Sequence, residues 1–310
     1  DCYWRDLVAF SWNLVTVEGH VGVRELVAST AEGTAPHDFA ELTDVVATPV
    51  PEGVTQGWFT FRTATATGRG VVRLRDGRAW TLLTVVDQLD GYEEATGQHR
   101  PLGAEHGAHR DRVTWLEQRE REAREMETAR EPYTLVVGGG QGGVALAARL
   151  RNLGVPTLVI DSLPKPGDIW RSRYKSLCLH DPVWFDHLPY LPFPTSWPVY
   201  TPKDKIGDWI ETYVQLMEVA FWGSTTCESA VWDEESQRWT VVVCRDGERI
   251  ELRPTQLVIA TGVSGRPQVP VIPGQDVFAG RQEHSSQHSG EGDHAGQRVV
   301  VVGANNSAHD

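Results

Sequence analysis

Three glycines, Gly138, Gly140 and Gly143 in the run VVGGGQGG, have the spacing that lets a backbone hold a pyrophosphate. The apolar run YTLVV before them reads as a buried strand, and VALAARLRNLG after them as a helix. In that setting Gly138 makes the tight turn, Gly140 lets the backbone approach phosphate, and Gly143 lets helix and strand pack closely. Gln141 opens the helix, whose first N–H groups lack intrahelical partners and face an incoming anion. Asp161 closes a second strand, PTLVID, about 20 residues on. A carboxylate there accepts from a ribose 2′-hydroxyl and disfavours a 2′-phosphate. The chemistry is dinucleotide binding, and spacing alone leaves FAD and NAD open. A second run, VVVVGANNSAHD, sets Gly303 after a β-rich stretch. Asn305 stands where the second glycine would be, and Ala308 where the third would be. Asn tolerates left-handed backbone better than most residues, and Ser307 reads as a phosphate donor or as a helix cap.

Such loops work only at the ends of parallel strands, so the sequence must supply a sheet. Strands are expected at 133–137, 157–160, 257–260 and 299–302, joined by right-handed crossovers. Between them, AVWDEESQRWTVVVCRDGERIEL predicts two or three antiparallel strands. Residues 104–131 are charged, with Glu and Arg three or four apart, which predicts an exposed connector helix ended by Pro132. No apolar heptad persists there to make a coiled coil. Residues 1–103 are rich in β-formers, and DCYWRDLVAFSW already reads as folded core. Three or four antiparallel strands are expected between about 40 and 90, with a tight hairpin at Asp76-Gly77. A short helix over 20–28 and a curved sheet would hide Trp58, Phe59, Phe61 and Trp80. The division expected is 1–103, 104–131, a cofactor domain at 132–298 with a small antiparallel insert, and the start of another nucleotide domain at 299–310.

From about 133 onward the chain resembles the flavin-containing monooxygenases, in the branch with the plant indole-3-pyruvate (YUCCA-type) enzymes. The resemblance rests on GDIWRSRYKSLCLHDP at 167–182, LPYLPFPTSWPVYTPKDKIGDWIETY at 188–213, ATGVSGRPQVPVIPG at 260–274 and FAGRQEHSSQHSG at 278–290. It implies a three-layer Rossmann-like α/β fold, FAD in the first cradle and NADPH in the second. It implies that NADPH reduces the flavin, O2 adds to it, and the flavin hydroperoxide passes one oxygen atom to a small organic substrate. Gly167, Trp170 and Arg171 are implied to line the flavin, as are Thr261 and Gly262 beside the bound cofactors. His180 sits where the family carries a flavin-proximal polar residue, and it reads equally as a structural histidine before Pro182. His284 falls in a linker between cofactor domains, and His288 replaces an aromatic residue common in relatives. No H-E-x-x-H pattern accompanies that pair, so no metal is expected. Residues 1–103 resemble the NTF2-like (SnoaL-type) cone fold, an α+β module that would serve assembly, including a homodimer. Trp4, Arg5, Asp6 and His20 would line its cup.

Composition narrows the alternatives. A net charge of -13 with no basic patch argues against a nucleic-acid partner. No run approaches the roughly 20 apolar residues of a membrane helix. Cys2, Cys178, Cys227 and Cys244 form no C-x-x-C, so the dithiol reductase signature is missing and a reducing, cytoplasmic setting is expected. The chain starts without Met and stops at Asp310, so truncation at both ends is expected, with no NADPH-driven turnover from these residues alone. Two other readings stand beside the monooxygenase: an FAD/NAD(P)-dependent oxidoreductase without oxygen transfer, and a non-catalytic FAD-binding protein.

Overall fold

The computed structural model describes the chain except residues 1, 46–48, 104–106, 109, 130, 264, 266, 289 and 310, and the side chains of 291 and 293. It divides into two units, Asp1–Gln98 and His99–Asp310.

The first unit holds β1 (Tyr3–Leu7), β2 (Leu14–Glu18), α1 (Gly19–Thr34), β3 (His37–Glu41), β4 (Val54–Arg62), β5 (Ala66–Arg75) and β6 (Arg78–Leu89). They form one six-stranded sheet in the order β2-β1-β6-β5-β4-β3. The β5–β6 turn has φ of 51° at Asp76 and 72° at Gly77, the double left-handed turn that matches strand twist. The N-terminal strand β1 lies parallel to β6, almost eighty residues away in sequence, with Trp4 beside Leu82. The helix runs well past the expected 20–28. It stops where Ala35 takes φ 43° before Pro36, which disfavours helix at the preceding residue. The core is Trp4, Ala9, Phe10 and Phe61. Of the four aromatics expected to be hidden, only Phe61 is buried. Trp58, Phe59 and Trp80 are half-buried, and the Arg75 guanidinium lies 3.8 Å over the Trp80 ring.

The second unit contains α2 (Trp115–Ala129), β7 (Thr134–Val137), α3 (Gln141–Asn152), β8 (Thr157–Ile160), α4 (Asp168–Arg171) and α5 (Lys203–Leu216). It continues with β9 (Ala220–Trp222), β10 (Thr225–Asp233), β11 (Arg238–Arg245), β12 (Glu248–Leu252), β13 (Gln256–Ile259) and α6 (Asn306–His309). Four parallel strands run in the order β13-β7-β8-β9. Side chains alternate across a strand, and in the central strands β7 and β8 both faces are covered. Val136 and Val159 pack on α3 and α5 through Val144, Ala147, Ile210 and Tyr213. Leu135, Leu158 and Ile160 pack on Val241, Val243 and Leu252 of the antiparallel β10–β12 sheet. Burial on both faces is why these strands read as unbroken apolar runs. The result is the expected three layers, with the Rossmann-like sheet in the middle.

Two elements differ from the sequence reading. Val299–Val302 form no strand and stay 56–86% exposed. Four valines favour extended backbone, but a strand needs a ladder partner, and none pairs with them among the described residues. The helix expected across 104–131 occupies Trp115–Ala129, while 104–106, 109 and 130 lie outside the described residues. It is tied to its own unit by Arg119–Glu218 at 3.1 Å, Glu122–Arg151 at 3.4 Å and the packing of Met126. Among the described residues, no helix is long and apolar enough to cross a membrane.

Candidate dinucleotide site

The site is built on the turn from β7 into α3. Gly138 has φ 113°, and a Cβ on it would stand 2.4 Å from the Ala260 carbonyl oxygen. Only glycine fits, and the contact shows that the chain leaving β13 presses on the loop, which carries Thr261 and Gly262 to its rim. Gly143 packs closer still: a Cβ there would meet the Gly138 oxygen at 2.0 Å. Gly140 is different. It is the N-cap of α3 in extended backbone, and among the described residues no side chain caps the helix and nothing lies within 4 Å of where its Cβ would be. Open space therefore faces an uncapped helix N-terminus, the arrangement that receives an anion.

Asp161 holds the loop in place. Its Oδ2 accepts from the Gly139 N–H at 2.6 Å and its Oδ1 from the Leu163 N–H at 2.8 Å. A carboxylate has about four acceptor positions, so each oxygen keeps room for a hydroxyl. The Trp170 indole N–H donates to Gln141 Oε1 at 3.2 Å, which sets the aromatic ring beside the first residue of α3.

Gly167 and Arg171 sit where α4 meets α5. Gly167 has φ 86°, and a Cβ there would lie 2.2 Å from the Gly207 oxygen, so it lets α4 touch α5. The Arg171 guanidinium donates to Asp168 Oδ1 at 2.8 Å, Asp208 Oδ1 at 2.9 Å and Glu211 Oε2 at 2.6 Å. Burial works against its charge, but bonds to Asp208 and Asp168 and the charge of Glu211 outweigh it, and the group titrates above its ordinary value. Arg171 thus clamps α4 to α5. The carboxylates Asp208 and Glu211 were legible as an i, i+3 pair on one helix face, yet no motif drew notice to them. Phe221 was also missed: a Cβ on Gly139 would meet its ring at 2.4 Å, so it backs the loop from β9.

His180 is exposed, on the segment where the Leu179 N–H bonds the Thr201 oxygen at 2.8 Å. Asp186 Oδ2, Thr201 Oγ1, Trp209 Nε1 and the Tyr213 hydroxyl are buried with no hydrogen-bond partner among the described residues. Burial, with Tyr190 adding to it, pushes the Tyr213 phenol up to about 12. Burial also raises Asp186, reinforced by the charge of Asp181.

The second loop is held locally. Gly303 has φ 150°, the Asn305 oxygen accepts from the Ala308 N–H at 2.7 Å, and Asn305 Oδ1 accepts from the Asn306 N–H at 2.9 Å. Asn305 thereby takes the capping place, while Ser307 lies inside α6. In the first unit, Asp6 is fully buried and accepts from the Phe10 and Ser11 N–H groups and the Ser11 and Thr84 hydroxyls. A carboxylate met by four donors is a structural tie; His20 is exposed.

These features meet those of known proteins. The chain is 38% identical over 177 residues to the indole-3-pyruvate monooxygenase YUCCA1 of Oryza sativa subsp. japonica, across 57% of this chain and 43% of that protein. It is 34% identical over 176 residues to YUCCA6 of Arabidopsis thaliana, across 56% of this chain and 42% of that one. The chain thus spans about two fifths of the length of the curated relatives it matches. Among solved structures, it is similar to the flavin-containing monooxygenase of Stenotrophomonas maltophilia, with 28% identity and a TM-score of 0.53 over 57% of this chain and 52% of that one. The family model for pyridine nucleotide-disulphide oxidoreductases matches residues 132–310. The glycine turn, the parallel sheet and these matches agree, and the chain belongs to the pyridine nucleotide-disulphide oxidoreductase family.

Proposed function

We propose that this chain carries the FAD-binding part of an FAD- and NADPH-dependent monooxygenase that acts on a small organic substrate. The observation that supports it most is the open, uncapped N-terminus of α3 behind Gly140. An FAD pyrophosphate fits there because a helix N-terminus and close backbone favour anionic oxygens. Gly138 and Gly143 keep the turn tight, Asp161 accepts from a ribose hydroxyl, and Trp170, held by Gln141, covers one side. Bound FAD supplies electron transfer from NADPH and activation of O2. The residues' part is to orient the cofactor and keep water away. Thr261 and Gly262 stand at the rim of the same cradle, and His180 is the proposed proton-handling group near the flavin. Gly303, Asn305 and Ser307 are proposed to meet NADPH.

Oxygen transfer rather than plain dehydrogenation is favoured by the similarity to proteins named as monooxygenases, and by the lack of a C-x-x-C among the four cysteines. The first unit is proposed to be an NTF2-like module that supports a homodimer, and the protein is proposed to be cytoplasmic. The test is product analysis under 18O2 with NADPH and FAD, in the protein that carries this chain, offering indole-3-pyruvate among other 2-oxo acids and ketones. One labelled oxygen in product supports the proposal. NADPH consumption without label in any product points to an oxidoreductase that does not transfer oxygen.

A further inference from the structure

Outside the dinucleotide site, one cluster of ligating side chains among the described residues is drawn together by the fold. Glu283, His288 and His294 lie between β13 and α6, and one ligand atom from each falls within 4.8 Å of the others. Glu283 Oε1 is 3.4 Å from His288 Nδ1 and 3.2 Å from His294 Nε2. The two imidazoles stack at 5.4 Å with an angle of 15° between them. Their pairing differs from the 284/288 spacing weighed in the sequence, since His284 Nδ1 turns to the Ser286 hydroxyl at 3.0 Å.

We propose that Glu283, His288 and His294 form a binding site for a divalent transition-metal cation of the zinc type. Bonds of about 2.0–2.2 Å at tetrahedral angles give ligand separations of about 3.3–3.6 Å. The separations of 3.2 and 3.4 Å around Glu283 Oε1 are close to two of those edges, and the third lies within 4.8 Å, so an ion is received once the imidazole nitrogens turn toward it. Two nitrogens and one carboxylate oxygen are the donor set that suits zinc and its neighbours, rather than calcium or magnesium. The Glu283 and His294 side chains are only 16% and 17% exposed, so two of the three ligands are already partly removed from bulk water. Arg281 holds Glu283 Oε2 at 2.5 Å. That contact leaves Oε1 as a single-oxygen ligand and fixes its direction, while the arginine charge lowers cation affinity. Water completes the fourth position. His288 also packs on Tyr174 at 6.2 Å between ring centroids. A bound ion therefore braces the 283–294 segment against the turn after α4, a role that does not depend on FAD.

The test uses CoCl2 as a spectroscopic probe on the 310-residue chain, followed by displacement with ZnCl2. The expected result is one equivalent of Co2+ with the visible bands of four-coordinate cobalt, removed by Zn2+. His288→Ala and His294→Ala each weaken binding by at least about tenfold, since even a residue one shell out matters by that much. Glu283→Gln, which keeps the shape, weakens it similarly, and His284→Ala leaves it unchanged. Zn2+ raises the thermal midpoint of the parent chain and not of the two alanine variants, each shown by circular dichroism to be folded. Absence of saturable binding, a cysteine-thiolate charge-transfer band, or affinity unchanged in both histidine variants overturns the proposal.

Discussion

The tightest contact in the cofactor cradle gives a sharp test of how the glycine loop works. In Gly143→Ala the new Cβ would start 2.0 Å from the Gly138 carbonyl oxygen and 3.3 Å from Val136 Cγ1. Real Cβ atoms essentially never come within 3.0 Å of such a neighbour, so α3 and the loop must separate by about 1 Å. Both neighbours are constrained: one is backbone, and the other sits in the fully buried layer with Val144, Ala147 and Ala148. A gap of about 0.5–1 Å already forfeits a quarter to a half of a contact's dispersion energy. The expected loss is therefore at the upper end of overpacking, about 3 kcal/mol. Gly142→Ala is the internal control. It lies in the same helix, is exposed, and has nothing within 4 Å of its new Cβ. It should be stabilising by about 0.5 kcal/mol through helix propensity and a less flexible unfolded chain. Urea unfolding followed by circular dichroism, without cofactor, compares the two. Equal midpoints for both variants would refute the reasoning, because the same chemical change would then be blind to the 2.0 Å contact.

Asp161→Asn should lower the FAD retained after gel filtration and cost about 1–3 kcal/mol, since one carboxylate oxygen facing an amide N–H becomes a second donor. Asp6→Asn should cost about 2–3 kcal/mol in the first unit, because an amide cannot accept all four donors that meet the buried carboxylate; denaturant unfolding reads it. Arg171→Met should loosen α4 from α5 by leaving Asp168, Asp208 and Glu211 facing one another, read as faster hydrogen exchange in both helices. Asp186 is held above its ordinary value by burial and by Asp181. Its protonated form is favoured in the folded chain, so that contribution is full below the unfolded value of about 3.9 and is lost as pH rises through the folded one. Asp186→Asn should therefore be more stable than the parent at pH 7, with the difference fading below about pH 4; urea midpoints across pH check it.

The β7-α3-β8 unit was legible because every signal in it is local: a buried run, glycines at fixed spacing, a helix pattern and a closing acid. The Asp76-Gly77 and Asp246-Gly247 turns were legible for the same reason, and each has positive φ at both residues. What depends on distant partners was not. The three residues of β9 carry no periodicity, and only pairing with β8 makes them a strand. The β1–β6 pairing joins residues far apart in sequence. Val299–Val302 show the reverse case, strong β character with no strand partner among the described residues. At the site, Gly138, Gly140, Gly143, Gln141, Trp170 and Asp161 converge around one turn. Arg171 is implied by the resemblance to line the flavin, and only the three-dimensional placement of Asp208 and Glu211 shows the ion pairs its charge makes.

The most direct test of the account is the absorption spectrum of the 310-residue chain after incubation with FAD and gel filtration. The account predicts a flavin band that elutes with the protein at close to one FAD per chain, and that is lost in Gly143→Ala while Gly142→Ala keeps it. A colourless protein that is folded by circular dichroism would contradict it.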